Sequence, residues 1–443
     1  MGTIFGTILA FLIVFGILVF IHEFGHFFAA KLVGVRVEVF SFGYGKRLFG
    51  FKKSGTDYRI SLLPLGGYVK MLGEGLAEPG KILEPDDFMA KNRLQRFLVF
   101  VMGPVMSILL AVVIMAGLNM VGVTTPRYQE EAPVIGWIEP DSPAARSDLK
   151  TDDVILAVNG RKTPTWNDVE IAVGTKPNRL LSLEIQRSGR VMNVPLTTES
   201  RTKYEMGYAG FFGKILTQVQ MVSPGSPAEK GGLQAGDVIL AINGEPVYFY
   251  RFVEIIEANP EQECAFLVDR GGREVALSVT PRREGKVGKI GVMQTAQSVL
   301  KKYAFFPAIG QSLKENARLT FLVIDFLKNL FTGQASAKQL SGPLEIANFS
   351  YAALKMGFLS LMSWIALISL QLGILNLFPI PVFDGGQIFV LAIEGILRRD
   401  LTPKARQIWM QIGFAVFILL IGFVILNDIA KRLPNGWRSL LPF

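Results

Sequence analysis

The feature that most constrains this chain of 443 residues is an apolar run, GTILAFLIVFGILVFIHEFGHFFAAKL, that contains its only two histidines. His22 and His26 stand four residues apart, and Glu23 follows the first of them. In a helix, positions four apart differ by about 40° in angle and about 6 Å along the axis, so both imidazoles can reach one metal ion. Glu23 then lies on the neighbouring face, where its carboxylate can contact a water at the metal. The motif predicts a zinc protease site that acts on a peptide bond within the membrane.

A chance match is the competing interpretation, because a buried histidine is more often a satisfied core residue than a ligand. Random placement of two histidines, with Glu after the first, would give this motif roughly once in a few thousand chains. Each ionisable side chain in a span also costs on the order of 2.5–3.5 kcal/mol on insertion scales. Three such groups together need compensation, which a bound metal provides, so a functional site is favoured.

Composition predicts an integral membrane protein, because half of the residues are hydrophobic and only 19 % are charged. The first apolar run has no Lys or Arg before it, which distinguishes it from a signal peptide and favours a retained span. The net charge of +9 lies largely beside apolar stretches, where lipid headgroups explain it better than nucleic acid does. The single cysteine, Cys264, excludes an internal disulfide framework, and we expect it to serve packing.

Four stretches are long and apolar enough to span a bilayer, at roughly residues 4–30, 97–121, 358–378 and 408–426. The loops after the first and third stretches are rich in basic residues: Lys31, Arg36, Lys46, Arg47, Lys52, Lys53, Arg59 and Lys70, and then Arg398, Arg399, Lys404 and Arg406. The positive-inside rule places these loops in the cytoplasm, and both termini and the middle region in the periplasm of a Gram-negative cell. The basic C-terminal tail, with Lys431, Arg432 and Arg438, argues against this orientation but is outweighed by the two loops.

The middle region contains an internal repeat. PDSPAARSDLKTDDVILAVNG (140–160) aligns without gaps to PGSPAEKGGLQAGDVILAING (224–244), with 12 of 21 positions identical. The shared residues resemble the signature of PDZ domains and predict two β-rich copies, at 126–200 and 206–292. The first copy has Asp148 and Asp152 where the second has glycines, so its loops should differ. Such domains commonly bind a peptide, here a trimmed substrate end, as an added strand; the alternative is a size filter without a ligand.

The segment from 300 to 350 is more polar than the four stretches. Within it, SLKENARLTFLVIDFLKNLF (312–331) has apolar residues at helical spacing with charges between them. This pattern predicts an amphipathic helix on the outer surface of the membrane, and the alternative is an ordinary helix packed on the outer domains.

A catalytic zinc takes three protein ligands, and the third must come from another part of the chain. Asp384 is the best candidate, because Pro379 and Pro381 break the helix before it and Gly385-Gly386 after it permit close approach. Non-helical backbone at membrane depth is tolerated only where it lines protein or a cavity. The other carboxylates in or beside these segments are less suitable by position: Asp325, Glu394 and Asp428.

Topology supports this choice of ligand. The first and third stretches run in the same direction, and His26 lies about 7 Å from the cytoplasmic end of its helix. Asp384 lies late in the third stretch, ahead of Arg398. Both parts of the site should therefore meet near the cytoplasmic side, where water can enter.

These motifs together resemble the site-2 protease family of intramembrane zinc metalloproteases. HExxH in the first stretch, two PDZ-like repeats after the second and NLFPIPVFDGG in the third carry the resemblance, which covers essentially the whole chain. It implies that His22, His26 and Asp384 bind Zn²⁺ and that Glu23 is the general base. It also implies that Asn376 helps to hold substrate near the site.

The resemblance further implies a membrane-associated β-hairpin in the loop after the first stretch, which could bind an unwound substrate as an extended strand. Its glycines are the expected contacts: Gly43, Gly45, Gly66 and Gly67. The chain departs from the family in two places. Ser107 stands where the family has Asn in Gly-Pro-x-x-Asn, so the role of that Asn is not transferred, and Phe383 replaces Leu before the aspartate.

The predicted architecture is a multi-pass α-helical membrane protein with four transmembrane helices, a membrane-associated β-hairpin and two tandem β-rich PDZ-like domains. Its predicted segments are 1–125, 126–200, 206–292, 300–350 and 351–443. The family resemblance implies a bacterial inner-membrane enzyme that cleaves trimmed single-span proteins, notably an anti-sigma factor in envelope-stress signalling. It also implies remnant signal peptides as substrates. The PDZ-like domains would exclude untrimmed substrates by bulk.

Two other functions compete with this prediction. The first is a non-catalytic, PDZ-bearing membrane scaffold with a structural metal, and the second is a metal transporter. A structural metal needs neither a base such as Glu23 nor an open coordination position. A transporter needs ionisable groups along a path across the bilayer, whereas the sequence has one cluster near one side.

Overall fold

The computed structural model describes residues 2–74, 83–201 and 204–433. The ends of the first and last predicted segments, residue 1 and residues 434–443 with Arg438, lie outside the described residues. In chain order the helices are α1 (Gly2–Leu32), α2 (Arg93–Val121), α3 (Trp166–Gly174), α4 (Pro227–Lys230), α5 (Phe249–Ala258), α6 (Phe305–Phe331), α7 (Pro343–Met356), α8 (Phe358–Asn376), α9 (Asp384–Leu397) and α10 (Pro403–Ala430).

The strands alternate with these helices and fall mostly in the middle of the chain. They are β1 (Val37–Lys53), β2 (Thr56–Met71), β3 (Val123–Pro126), β4 (Ile135–Ile138), β5 (Val154–Val158), β6 (Arg161–Lys162), β7 (Leu180–Arg187), β8 (Arg190–Thr197), β9 (Glu199–Arg201), β10 (Met206–Tyr208), β11 (Phe211–Gly213), β12 (Thr217–Val222), β13 (Val238–Ile242), β14 (Glu245–Pro246), β15 (Cys264–Asp269), β16 (Glu274–Val279), β17 (Arg282–Glu284), β18 (Val287–Lys289), β19 (Val292–Ala296) and β20 (Ser298–Lys301). Three short 3₁₀ helices complete the list: Phe88–Ala90, Arg127–Glu130 and Ala337–Gln339.

The chain forms two compact units. The membrane unit comprises Met1–Val121, Lys302–Lys328 and Leu340–Phe443, and the repeat unit comprises Gly122–Lys301 and Asn329–Gln339.

Four helices of the membrane unit are long and apolar enough to cross a bilayer, which confirms the four predicted stretches as helices. They are α1, α2, α8 and α10 among the residues that the structure describes. In α10 only 6 % of the most apolar window is buried, as expected for a helix that faces lipid. In α8 the buried share is 39 %, which places this helix closest to the interior of the unit.

Helices α1, α2 and α8 approach one another most closely at the middle of α2. A Cβ added to Gly25 of α1 would lie 2.3 Å from the carbonyl oxygen of Met102. A Cβ added to Gly373 of α8 would lie 2.9 Å from the carbonyl oxygen of Pro104. Small residues at such contacts allow helix backbones to pack directly, which is a common basis of helix association in membranes. The three backbones are thus held in a fixed register around residues 102–104.

The hairpin predicted after the first span is present as β1 and β2. Residues 37–42 of β1 pair on one side with residues 57–60 of β2 and on the other with residues 67–71. The segment 67–71 therefore forms an edge of this sheet, and no other described strand pairs with its outer side. The N–H groups of Val69 and Met71 in this segment donate to the side chains of Glu23 and Glu74. A sheet edge that no other strand covers can accept one.

The predicted break in the third span is confirmed. α8 ends at Asn376, α9 begins at Asp384, and the residues between them are not helical. Gly386 is tightly enclosed, because an added Cβ would lie 2.2 Å from the carbonyl oxygen of Ile380. Proline starts this turn and glycine closes it, so Asp384 is presented at the first position of a new helix.

The predicted amphipathic helix is present as α6. The Ser312 hydroxyl donates to the Val112 carbonyl over 2.8 Å, and the Asn119 amide donates to Glu315 over 3.2 Å. The polar side of α6 thus contacts the second half of α2, and its position at a membrane surface stays a prediction.

The repeat unit contains two similar β-rich copies, each with its own apolar core. The first has the sheet β6-β5-β7-β8 and the pair β11-β4, and the second has the sheet β16-β15-β13-β12-β19. β11 lies beyond residue 200, yet it pairs with β4, and Phe211 belongs to the core of the first copy. Asp152 and Gly236 both adopt positive φ, +70° and +98°, so at this position the predicted difference between the loops is not found.

A buried ion pair recurs in both copies at equivalent positions. The Arg187 guanidinium donates to both carboxylate oxygens of Asp153 over 2.7 Å. Arg270 does the same to Asp237, over 2.7 and 2.8 Å. Both aspartates are almost fully buried. In each copy the ion pair joins the start of one strand, β5 or β13, to the end of the neighbouring strand, β7 or β15. The sequence repeat is therefore also a structural repeat.

The main segment of the repeat unit, residues 122–301, begins and ends in one short ribbon, which we call the neck. β3 pairs antiparallel with β20, with Val123 opposite Lys301 and Pro126 opposite Ser298. Lys301 also forms an ion pair with Glu130.

Candidate active site

Three predicted ligands from distant parts of the chain meet in the membrane unit. His22 Nε2 lies 3.3 Å from His26 Nε2 and 3.1 Å from Asp384 Oδ2. Asp384 Oδ1 lies 3.4 Å from His26 Nε2. The histidines are each 7 % exposed, and among the described residues this trio is the one group of His, Cys, Asp or Glu whose ligand atoms all lie within 4.8 Å of one another.

This donor set fits zinc in chemistry and in spacing. Zinc is commonly held by imidazole nitrogens and carboxylate oxygens, and catalytic sites use three protein ligands. Bonds of about 2.0–2.1 Å at tetrahedral angles place ligand atoms about 3.3 Å apart. The separations of 3.1–3.4 Å between the three donors agree with that value.

One face of α2 orients both imidazoles. The His26 Nδ1–H donates to the Val99 carbonyl over 2.8 Å, and His22 Nδ1 lies 3.0 Å from the Ser107 hydroxyl oxygen. Gly103 stands between these positions, and an added Cβ there would lie 2.2 Å from His26 Nε2. Residues 99, 103 and 107 are four apart, as His22 and His26 are. They therefore lie on one face of α2, which packs against the face of α1 that carries the histidines. With both Nδ1 atoms occupied, both Nε2 atoms point toward Asp384.

Glu23 lies beside the ligands without joining them. Its Oε2 accepts a hydrogen bond of 3.1 Å from the backbone N–H of Val69, at the sheet edge formed by residues 67–71. The helix positions the carboxylate on the face next to the histidines, and the sheet edge holds it there. This is the placement that the HExxH spacing predicts for a group that exchanges protons with water rather than binding the metal.

Asn376 is the last residue of α8, and its amide nitrogen lies 3.4 Å from His22 Nε2. Its side chain therefore reaches the same space as the ligands. A carboxamide N–H here is a donor that can face a polarised carbonyl oxygen.

The site opens into a cavity of about 480 Å³ that the hairpin partly lines. Gly66 and Gly67 line it, and Gly67 fits closely, since an added Cβ would lie 2.7 Å from the Ser41 carbonyl oxygen. Gly43 and Gly45 are not among the described residues that line it. They stay predicted contacts, and their positive φ values of +92° and +87° account for glycine at both positions.

The cavity also contains Glu74, which the sequence analysis did not single out. Its carboxylate accepts a hydrogen bond of 3.2 Å from the Met71 N–H. Nothing in the local sequence marks Glu74, because only the fold of the hairpin brings it to the cavity.

The rival carboxylates have structural partners. Asp428 accepts hydrogen bonds from three backbone N–H groups at the start of α7, those of Gly342, Leu344 and Glu345. Glu394 is fully buried and accepts from Arg406. Neither belongs to the cluster around the histidines, and Asp384 is the carboxylate that the fold brings to them.

The chain matches a known protein family over most of its length, and known proteins resemble it over nearly all of it. The model of peptidase family M50 matches residues 10–420. Protease RseP of Yersinia pestis is 33 % identical, with 97 % of this chain and 100 % of that protein covered. Regulator of sigma-E protease RseP of Escherichia coli K12 is 32 % identical, with 95 % and 98 % covered.

Two other comparisons concern the metal and the repeats. A putative zinc metalloprotease of Vibrio cholerae is 32 % identical, with 97 % of this chain and 100 % of that protein covered. A solved PDZ domain of Listeria monocytogenes is similar at 19 % identity, covering 18 % of this chain and 86 % of that one, with a TM-score of 0.17. That likeness is too small to carry an argument about the repeats.

Proposed function

This chain belongs to peptidase family M50, the site-2 protease family, and from that premise we propose that it is a zinc endopeptidase that cleaves single-span membrane proteins within the bilayer. One observation carries the proposal. Two imidazoles from α1 and one carboxylate from the start of α9 converge within hydrogen-bond distances, and the Glu23 carboxylate lies beside them on the same cavity. A structural metal site would need no such fourth group.

His22, His26 and Asp384 would hold the zinc. The bound ion would act as a Lewis acid toward a peptide carbonyl and would lower the pKa of a water to about 7. Glu23 then accepts the proton of the attacking water at its carboxylate and returns it to the leaving amine. The Val69 N–H keeps this carboxylate oriented, and the Asn376 amide can donate to the substrate carbonyl oxygen.

The substrate must reach the site as an extended segment, because a helix hides its carbonyls in its own hydrogen bonds. The edge formed by residues 67–71 offers a template for such a segment, by the pairing of one strand with another. Gly66 and Gly67 line the cavity beside this edge. Substrates with helix-weakening residues should therefore be cleaved fastest, and stiffening the substrate helix should slow cleavage.

The name of the Escherichia coli relative, regulator of sigma-E protease, suggests which class of substrate this chain cleaves. We propose that the chain works in a bacterial inner membrane on a trimmed single-span anti-sigma factor, and on remnant signal peptides. The PDZ-like domains and both termini would face the periplasm, and the active site would lie near the cytoplasmic side. The PDZ-like copies would act as a size filter against untrimmed substrates or bind a trimmed substrate end.

The test is cleavage of a trimmed single-span anti-sigma factor by purified wild type, Glu23→Gln and Asp384→Asn in detergent, with zinc quantified in each. We expect wild type to hold about one zinc and cleave, Glu23→Gln to hold zinc without cleaving, and Asp384→Asn to lose both. If Glu23→Gln cleaves as wild type does, the assigned base is wrong. If all three hold zinc and none cleaves, a scaffold with a structural metal becomes the better account.

A further inference from the structure

We propose that Ser107 is a positioning residue for the zinc site, accepting a hydrogen bond from Nδ1–H of His22 so that Nε2 of this ring faces the metal. The inference rests on the proposed zinc site and assigns a role to a position in α2 at which this chain departs from the family motif. A ligating imidazole almost always donates its other N–H to a nearby acceptor, which fixes both tautomer and ring orientation.

The geometry singles out Ser107 for this role. Its Oγ lies 3.0 Å from His22 Nδ1, and the residue is fully buried. Ser107 itself is held from the opposite side, because the Ser369 hydroxyl donates to its carbonyl oxygen over 2.7 Å. α8 thus fixes the backbone of α2 at the residue that contacts the histidine.

The two ligands differ in how firmly their tautomers are set. The partner of His26 is the Val99 carbonyl, which can only accept, so Nδ1 of His26 must carry the proton. The partner of His22 is a hydroxyl, which can accept or donate. Only when Ser107 accepts is Nε2 of His22 free to bind a metal, so this single hydroxyl governs whether His22 is competent as a ligand.

The test compares zinc affinity in Ser107→Ala, Ser107→Cys and Ser107→Thr by chelator competition on the full-length protein. Ala removes the hydroxyl, Cys replaces it with a slightly larger thiol that is only a weak hydrogen-bond partner, and Thr preserves the hydroxyl. We expect Ala and Cys each to weaken zinc binding by about 10–100-fold, and Thr to recover most of the loss. Ser363→Ala is the matched control, because this α8 hydroxyl bonds to the Leu359 carbonyl of its own helix.

A second readout does not depend on affinity or on proteolysis. The chain has two histidines, so ¹⁵N-histidine labelling gives two imidazole spin systems. We expect Ser107→Ala to shift the Nδ1 resonance of His22 in the zinc-loaded protein and to leave that of His26 unchanged.

The outcomes separate this inference from the proposed function. If wild type binds no zinc through His22 and His26, the proposed function fails. If wild type binds zinc and the Ala and Cys variants match it within about twofold, with the His22 resonance unmoved, only the role of Ser107 fails. If Cys matches wild type and Ala does not, packing rather than hydrogen bonding holds His22, and the inference is also overturned.

Discussion

Replacing Gly103 by alanine should remove zinc from the site while leaving the helix that carries the change intact. An added Cβ would lie 2.2 Å from His26 Nε2, whereas ordinary contacts begin near 3.4 Å, so the ring must move by about 1.2 Å. Metal–ligand distances tolerate deviations of only about 0.2 Å, so this movement takes His26 out of ligand position.

The cost to the fold should be modest by comparison. Alanine in place of glycine favours a helix by about 0.5–1 kcal/mol, and overpacking of a tight site costs about 1–3 kcal/mol. The net change in the free energy of unfolding is therefore about 0–2.5 kcal/mol in the destabilising direction. Loss of one ligand should lower zinc affinity by at least about 100-fold, since disturbing even an outer hydrogen-bond partner costs 10–100-fold.

Gly117→Ala supplies the matched control, because it lies on the same helix and an added Cβ meets nothing within 4 Å. Zinc affinity by chelator competition, thermal unfolding in detergent and substrate cleavage are measured for both variants. We expect Gly117→Ala to match wild type in all three. If Gly103→Ala binds zinc as tightly as Gly117→Ala does, the close fit between α2 and His26 is not needed to hold the ligand, and the reasoning fails.

Three further predictions concern the rest of the chain. Burial opposes ionisation of Asp237, but hydrogen bonds from Arg270 outweigh it and lower its pKa. Asp237→Asn should therefore destabilise the repeat by about 1.5–3 kcal/mol at neutral pH, measured by hydrogen exchange of the whole protein. The difference should begin to shrink as pH falls below about 4 and should be lost as the pH passes through the lowered pKa of Asp237 in the folded protein. Asp428→Ala should cost about 1–3 kcal/mol in thermal unfolding without changing zinc affinity. Joining Pro126 to Ser298 by a short linker should permit cleavage of untrimmed substrate, and unchanged selectivity would refute a size filter.

The three residues of the candidate metal site could be predicted from sequence because each has a local signal. The spacing of His22 and His26 specifies one helix face, and the prolines before Asp384 interrupt a span where an interruption is costly. Both signals belong to short segments of chain. The structure then adds what the sequence could not give, namely that the separate segments meet at 3.1–3.4 Å.

The supporting contacts could not be predicted, for a physical reason. The Val99 carbonyl and the Val69 N–H are backbone groups, which every residue has, so no residue type marks them. Ser107 was noticed only as a departure from a family motif, and its contact with His22 depends on the register between α1 and α2. In the repeats, β11 pairs with β4 across more than 70 residues, a long-range pairing that strand patterns do not specify.

The neck has a consequence for how such a chain can change over evolutionary time. Because β3 and β20 lie side by side, the segment from β3 to β20, which holds both repeats, leaves and rejoins the rest of the chain at one point. Just outside the neck, within the membrane unit, the Tyr303 N–H donates to the Asn119 carbonyl over 2.9 Å. The chain of the membrane unit is thus already brought together at residues 119 and 303, on either side of this segment. Gain, loss or duplication of such a segment would leave the helices that carry the zinc-site residues covalently continuous. The domain content of these enzymes can therefore diverge while their chemistry stays the same.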